Sequence, residues 1–87
     1  MDLQPFEKHY IGLKSPLLIL KGRKGVLACG YLNIETFNKT GEAAAIVTGV
    51  RTHEDMVTSK LIAVSAAARS IGLEVGMTGE DALKKFE

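Results

Sequence analysis

The stretch Leu17-Leu18-Ile19-Leu20-Lys21-Gly22-Arg23-Lys24-Gly25-Val26-Leu27-Ala28-Cys29-Gly30-Tyr31-Leu32 decides the fold. Leu17 to Leu20 is apolar at every position, as in a strand covered on both faces. Gly22-Arg23-Lys24-Gly25 is a four-residue link with a glycine at each end, where a positive φ is expected. The chain then returns from Val26 to Leu32 without an exposed polar position. The two runs form a β-hairpin, and the return strand is expected to be central.

Before this hairpin, Ile11 and Leu13 alternate within Tyr10–Lys14, and Ser15-Pro16 interrupts that strand. After it, Asn33 is a good N-cap for a helix carrying Ile34 and Phe37 on one face, closed by Gly41. Ala43 to Thr48 sits between two glycines, and its β-branched end tips it towards a buried strand. Thr52-His53-Glu54-Asp55 starts a helix with acids in its first turn. Ser59 is expected to cap a longer helix, because Leu61, Val64, Ala68 and Ile71 follow a 3.6-residue stripe. Gly72 ends it, with Leu73 folding back on the last turn. Leu73-Glu74-Val75 is expected to be a short strand. Thr78 begins a final helix with Leu83 and Phe86 inward and two i,i+4 pairs, Glu80–Lys84 and Asp81–Lys85. The expectation is an α+β fold: a mixed sheet of about five strands, with about four helices mainly on one face. The segment from Val50 to Gly72 is expected to cross over between parallel strands.

With 87 residues, 46% of them apolar, the chain is expected to be one domain spanning 1–87 with a small core. Leu, Ile, Val and Phe make up 25 of the 87 residues, too many for a disordered chain. The longest aliphatic run, Leu17–Leu20, is far short of the roughly 20 residues that cross a bilayer. The first residues include Asp2, Pro5 and Glu7 rather than a basic and then apolar leader, so a cytoplasmic protein is expected. A net charge of +1 and the absence of Trp argue against nucleic-acid binding. Lys21, Arg23 and Lys24, the one basic cluster, read as a charged hairpin tip. A single cysteine excludes an internal disulfide and a multi-thiolate zinc site. The two histidines match no metal fingerprint, and no phosphate-loop or nucleophile-elbow motif occurs. No metal or cofactor is expected.

Three features carry chemistry. Gly49-Val50-Arg51-Thr52-His53 joins a strand end, a guanidinium and a helix start, and could seat a carboxylate or phosphate. Against this, Glu54 and Asp55 occupy the same turn, and Arg51 could be a structural tie. Cys29 reads as a small buried hydrophobe, or as a nucleophile if His53 and Arg51 lie beside it. His9 reads as an exposed strand residue.

Cys29-Gly30, Gly49-Val50-Arg51-Thr52 and Gly72-Leu73-Glu74-Val75-Gly76-Met77-Thr78-Gly79-Glu80-Asp81-Ala82-Leu83 together resemble the domain of unknown function 1805, the YunC-like proteins. The resemblance runs from about Phe6 to Phe86, and Val-Gly-Met-Thr-Gly is its most specific part. It implies a compact α+β domain found in bacteria and archaea and assigns no activity, cofactor or catalytic residue. The expected function is therefore read from the residues: a domain binding a small anion near Arg51 through Gly49, Arg51 and Thr52. The alternatives are an interaction module acting through homo-oligomerisation, and a cysteine enzyme using Cys29 and His53.

Overall fold

A computed structural model describes residues 1–87. Strands β1 (Glu7–Ile11), β2 (Leu17–Lys21) and β3 (Val26–Cys29) are followed by α1 (Ile34–Thr40) and β4 (Ala44–Val47). Then come α2 (His53–Thr58), β5 (Ala63–Val64), α3 (Ala66–Ser70) and α4 (Gly79–Phe86). The five strands form one mixed sheet in the order β1-β2-β3-β4-β5. All neighbours are antiparallel except β3 and β4, which run parallel with α1 in their connection. The fold is α+β, and β3 is central. No helix is long and apolar enough to cross a membrane.

Register divides the sheet into two faces. Leu20, Leu27, Ala45 and Val64 stand opposite one another on successive strands, and all four belong to the main core. Met56 of α2 and Ala82, Leu83 and Phe86 of α4 cover that face. Phe86 also explains the hairpin tip. Neither Gly22 nor Gly25 has a positive φ. A Cβ on Gly22 would lie 2.1 Å from the Phe86 carbonyl oxygen, and one on Gly25 would lie 2.2 Å from the Phe86 ring. Close approach, rather than backbone handedness, demands glycine here. The Lys24 backbone N–H donates to the Phe86 carbonyl at 2.8 Å and fixes the tip to the end of α4.

Local capping follows the sequence closely. Asn33 accepts from the Glu35 N–H, and Gly41 closes α1 at φ 80°. Thr78 and Asp81 form a reciprocal capping box on α4. Glu80 and Lys84 pair at 3.6 Å. Asp81 does not pair with Lys85; its carboxylate accepts from the Thr78 N–H instead. Gly72, at φ 101°, and Leu73 donate to Arg69 and Ala68 carbonyls, the two bonds of a Schellman turn.

Four further expectations are corrected. The helix expected from Ser59 through Ile71 is broken into β5 and the short α3. The open edge of β4 is the cause: its buried backbone groups need partners. The Ile62 N–H donates to Ile46 and the Ser65 N–H to Ala44, while the Ala44 N–H donates to the Ser65 hydroxyl. That hydroxyl, fully buried, also caps α3 and donates to the Glu42 carbonyl. Leu73-Glu74-Val75 forms no strand; the chain turns at Val75-Gly76 and is held to Leu61 by the Gly76 N–H and the Met77 carbonyl. The parallel pair accordingly lies across α1, not across Val50–Gly72. The first strand is also displaced, to Glu7–Ile11 from the expected Tyr10–Lys14.

Candidate functional site

Because β3 and β4 are parallel, the loops leaving them emerge at the same end of the sheet. Antiparallel β2 begins at that end, which brings Ser15-Pro16 alongside. Between these segments lies a cleft of about 360 Å³, lined by Ser15, Pro16, Cys29, Gly30, Tyr31, Thr48, Gly49, Val50 and Arg51. Crevices at the carboxyl ends of parallel strands are where open α/β sheets hold ligands.

Two glycines shape the floor. Gly30 brings the loops together: a Cβ there would lie 2.9 Å from Thr48 Cγ2. Gly49 turns the chain at φ 73°, a conformation costly to other residues, and a side chain there would meet open space. The next residue, Val50, is buried in the main core and anchors the loop. Arg51 follows on a backbone fixed from both sides. Its N–H donates to Asp55 Oδ2 at 3.1 Å, and Thr52 is the N-cap of α2. No carboxylate lies within 4.0 Å of the Arg51 guanidinium; the ion pairs of the molecule are His9–Glu7 and Lys84–Glu80. Arg51 is an exposed residue lining the cleft, and its guanidinium forms no ion pair.

Of the five residues singled out in the sequence, Cys29, Gly49 and Arg51 line this cleft, while Thr52 and His53 do not. The Thr52 hydroxyl is occupied by the Asp55 N–H at 3.0 Å. His53 Nε2 donates to the His9 carbonyl at 3.0 Å and ties α2 to β1. The Cys29–His53 pairing considered from the sequence is therefore not assembled. Cys29 is 3% exposed, and its Sγ accepts from the Leu18 N–H at 3.3 Å. It is a wall of the cleft and a seam between β2 and β3. His9 is exposed in β1 and hydrogen-bonds Glu7, whose carboxyl is held below its ordinary pKa first by that bond and then by the charge of His9. No group of His, Cys, Asp and Glu side chains is arranged to hold a metal.

Ser15, Pro16, Tyr31 and Thr48 complete the lining and were not singled out in the sequence. Hairpin geometry was the signal that could have found them: Ser15-Pro16 precedes β2 and Tyr31 follows β3, so both must meet at one end.

The molecule is thus a small α+β domain with one cationic side chain over a cleft at its parallel strand ends. It belongs to the DUF1805 family, a domain of unknown function whose family model matches residues 28–86. That span contains both loops of the cleft. The chain is 32% identical over 88 residues to the uncharacterized protein YunC of Bacillus subtilis (strain 168), covering 95% of this chain and 87% of YunC. A crystal structure of a protein of unknown function from Thermoplasma acidophilum is similar at a TM-score of 0.83 and 33% identity, covering 94% of this chain and 93% of that one.

Proposed function

We propose that this domain binds a small anionic molecule in the cleft between the β3–α1 and β4–α2 loops. The observation that carries the reading is Arg51: a guanidinium on an anchored backbone, at a cleft, without an acidic partner. A guanidinium can bind a carboxylate or phosphate with two parallel hydrogen bonds. Ser15, Thr48 and Tyr31 add hydroxyl-bearing residues to the lining, and Cys29, Val50 and Pro16 supply apolar wall. Few polar groups set in an apolar wall is the usual make-up of a small-molecule site.

Thermal unfolding with phosphate monoesters and with short mono- and dicarboxylates tests this reading. A true ligand at 100 times its dissociation constant adds about 2.7 kcal/mol to stability. Arg51→Gln should abolish the shift and leave the unliganded melting temperature unchanged. A shift of equal size in the variant would place the anion elsewhere. Catalysis through Cys29 is disfavoured by its burial and by the engagement of His53 with His9.

Association of two copies is a second reading, favoured by a different observation. Tyr10 and Ile11 in the edge strand β1, and Leu13 just after it, are large and exposed. Sedimentation equilibrium of the wild type and of Ile11→Lys tests it; a monomer at high concentration would eliminate it.

A further inference from the structure

A second cavity, also of about 360 Å³, lies at the opposite end of the same strand pair, about 10 Å of strand away from the first. It is bounded by the β2–β3 turn and the α1–β4 loop. Lys21 lines it from the end of β2, Arg23 and Lys24 from the turn, and Glu42 from the loop.

We infer that this cavity is a binding site for the oligophosphate group of a small molecule, independent of the cleft at Arg51.

Three observations support it. First, three cationic residues and a single acidic one line the cavity, and none of the three cations forms an ion pair within 4.0 Å. Glu42 is itself engaged, accepting from the Thr40 hydroxyl at 2.7 Å. The nearest competitor on the sheet is Glu7, which stands opposite Lys21 in the β1–β2 register. Arg23 and Lys24 have no such cross-strand acid.

Second, the turn is preorganised. Gly22 and Gly25 are pressed against Phe86, and the backbone of Lys24 is bonded to the Phe86 carbonyl. The Gly22 N–H closes the turn on the Gly25 carbonyl at 2.8 Å. Holding cations on a rigid backbone lowers the ordering cost of binding. An ordinary charged hairpin tip projects into solvent; this one is seated on the last helix and borders a concavity.

Third, the lining identifies the class of ligand. A single carboxylate needs one cation, whereas three cationic residues lining one cavity suit two or more linked phosphates. No aromatic residue lines the cavity. Sequence-tolerant single-strand binders require stacking platforms as well as charge, so a nucleic-acid strand fits poorly.

Pyrophosphate and tripolyphosphate titrations, followed by amide chemical shifts of the whole protein, test the inference. Saturable shifts are expected at residues 21–26 and 41–43. Arg23→Gln combined with Lys24→Gln, both exposed, should weaken pyrophosphate by about tenfold, equal to about 1.4 kcal/mol. Glu42→Gln removes the opposing charge and should tighten binding, an effect that a purely structural turn would not show. Arg51→Gln should leave this titration unchanged, which separates its fate from that of the cleft reading. Three results would each overturn it. They are no saturable shift in these segments, sulfate binding as tightly as pyrophosphate, or a short RNA strand binding more tightly than tripolyphosphate.

Discussion

The β2–β3 turn and the β4–α2 turn, at opposite ends of the β3–β4 pair, use glycine in opposite ways. At the amino end of β3, Gly22 and Gly25 lack side chains because the Phe86 carbonyl and ring occupy the space. At the carboxyl ends, Gly49 lacks one because the backbone turns through φ 73°, and its surroundings are empty. The first turn is clamped against α4, and the second is open. The same residue type thus marks a packing contact in one place and a backbone turn beside a cleft in the other. A glycine in a sequence does not declare which physics it serves.

Mutations can break or sharpen this contrast. Phe86→Ala has the largest expected effect, a loss of about 3–5 kcal/mol, since it removes a fully buried ring and with it the surface on which Gly25 packs. Urea unfolding would measure it, and a loss below about 1 kcal/mol would mean that the clamp is not a clamp. Gly25→Ala forces a methyl onto that ring and should cost about 1–3 kcal/mol by overpacking. Ser65→Ala would leave the buried Ala44 N–H without its acceptor, at a cost of about 1–3 kcal/mol. Gly49→Ala, at the open turn, should cost about 1–2 kcal/mol from backbone strain alone, because no atom lies in the way. Equal losses at Gly25 and Gly49, with equal disturbance of the Phe86 ring resonances, would erase the distinction.

The smallest effect concerns pH. The Asp81 carboxyl is held below its ordinary range by hydrogen bonds from Thr78, backbone first and hydroxyl second. A depressed folded-state pKa contributes stability that is present above the unfolded value and lost as pH falls through the folded one. Asp81→Asn should therefore flatten the acid limb of the stability profile below about pH 4, without altering its shape near neutrality. Acid titration of unfolding in the two proteins measures the difference.

What the sequence made legible was local. The hairpin, the caps at Asn33, Thr52 and Thr78, and the turn at Gly72-Leu73 are decided by neighbours in the chain. The segment after Ser59 was misread because Leu61, Val64, Ala68 and Ile71 keep a helical spacing while serving another purpose. Leu61, Val64 and Ala68 do enter the core. The deciding force is the unpaired edge of β4, about 20 residues away, which the periodicity of one segment cannot report. The site divides in the same manner. Cys29, Gly49 and Arg51 were legible because each belongs to a strand end or to the loop that follows one. Thr52 and His53 were equally plausible by type, yet one side chain is used by its own helix and the other by a carbonyl 44 positions earlier.

The central claim is that Arg51 seats an anion beside the open turn. Amide chemical-shift titration with phosphate monoesters and short carboxylates, run in parallel on the wild type and Arg51→Gln, tests it most directly. The account predicts saturable shifts at Gly30, Tyr31, Gly49 and Arg51 in the wild type, and none at those amides in the variant. Shifts absent from both proteins, or the same in both, would contradict it.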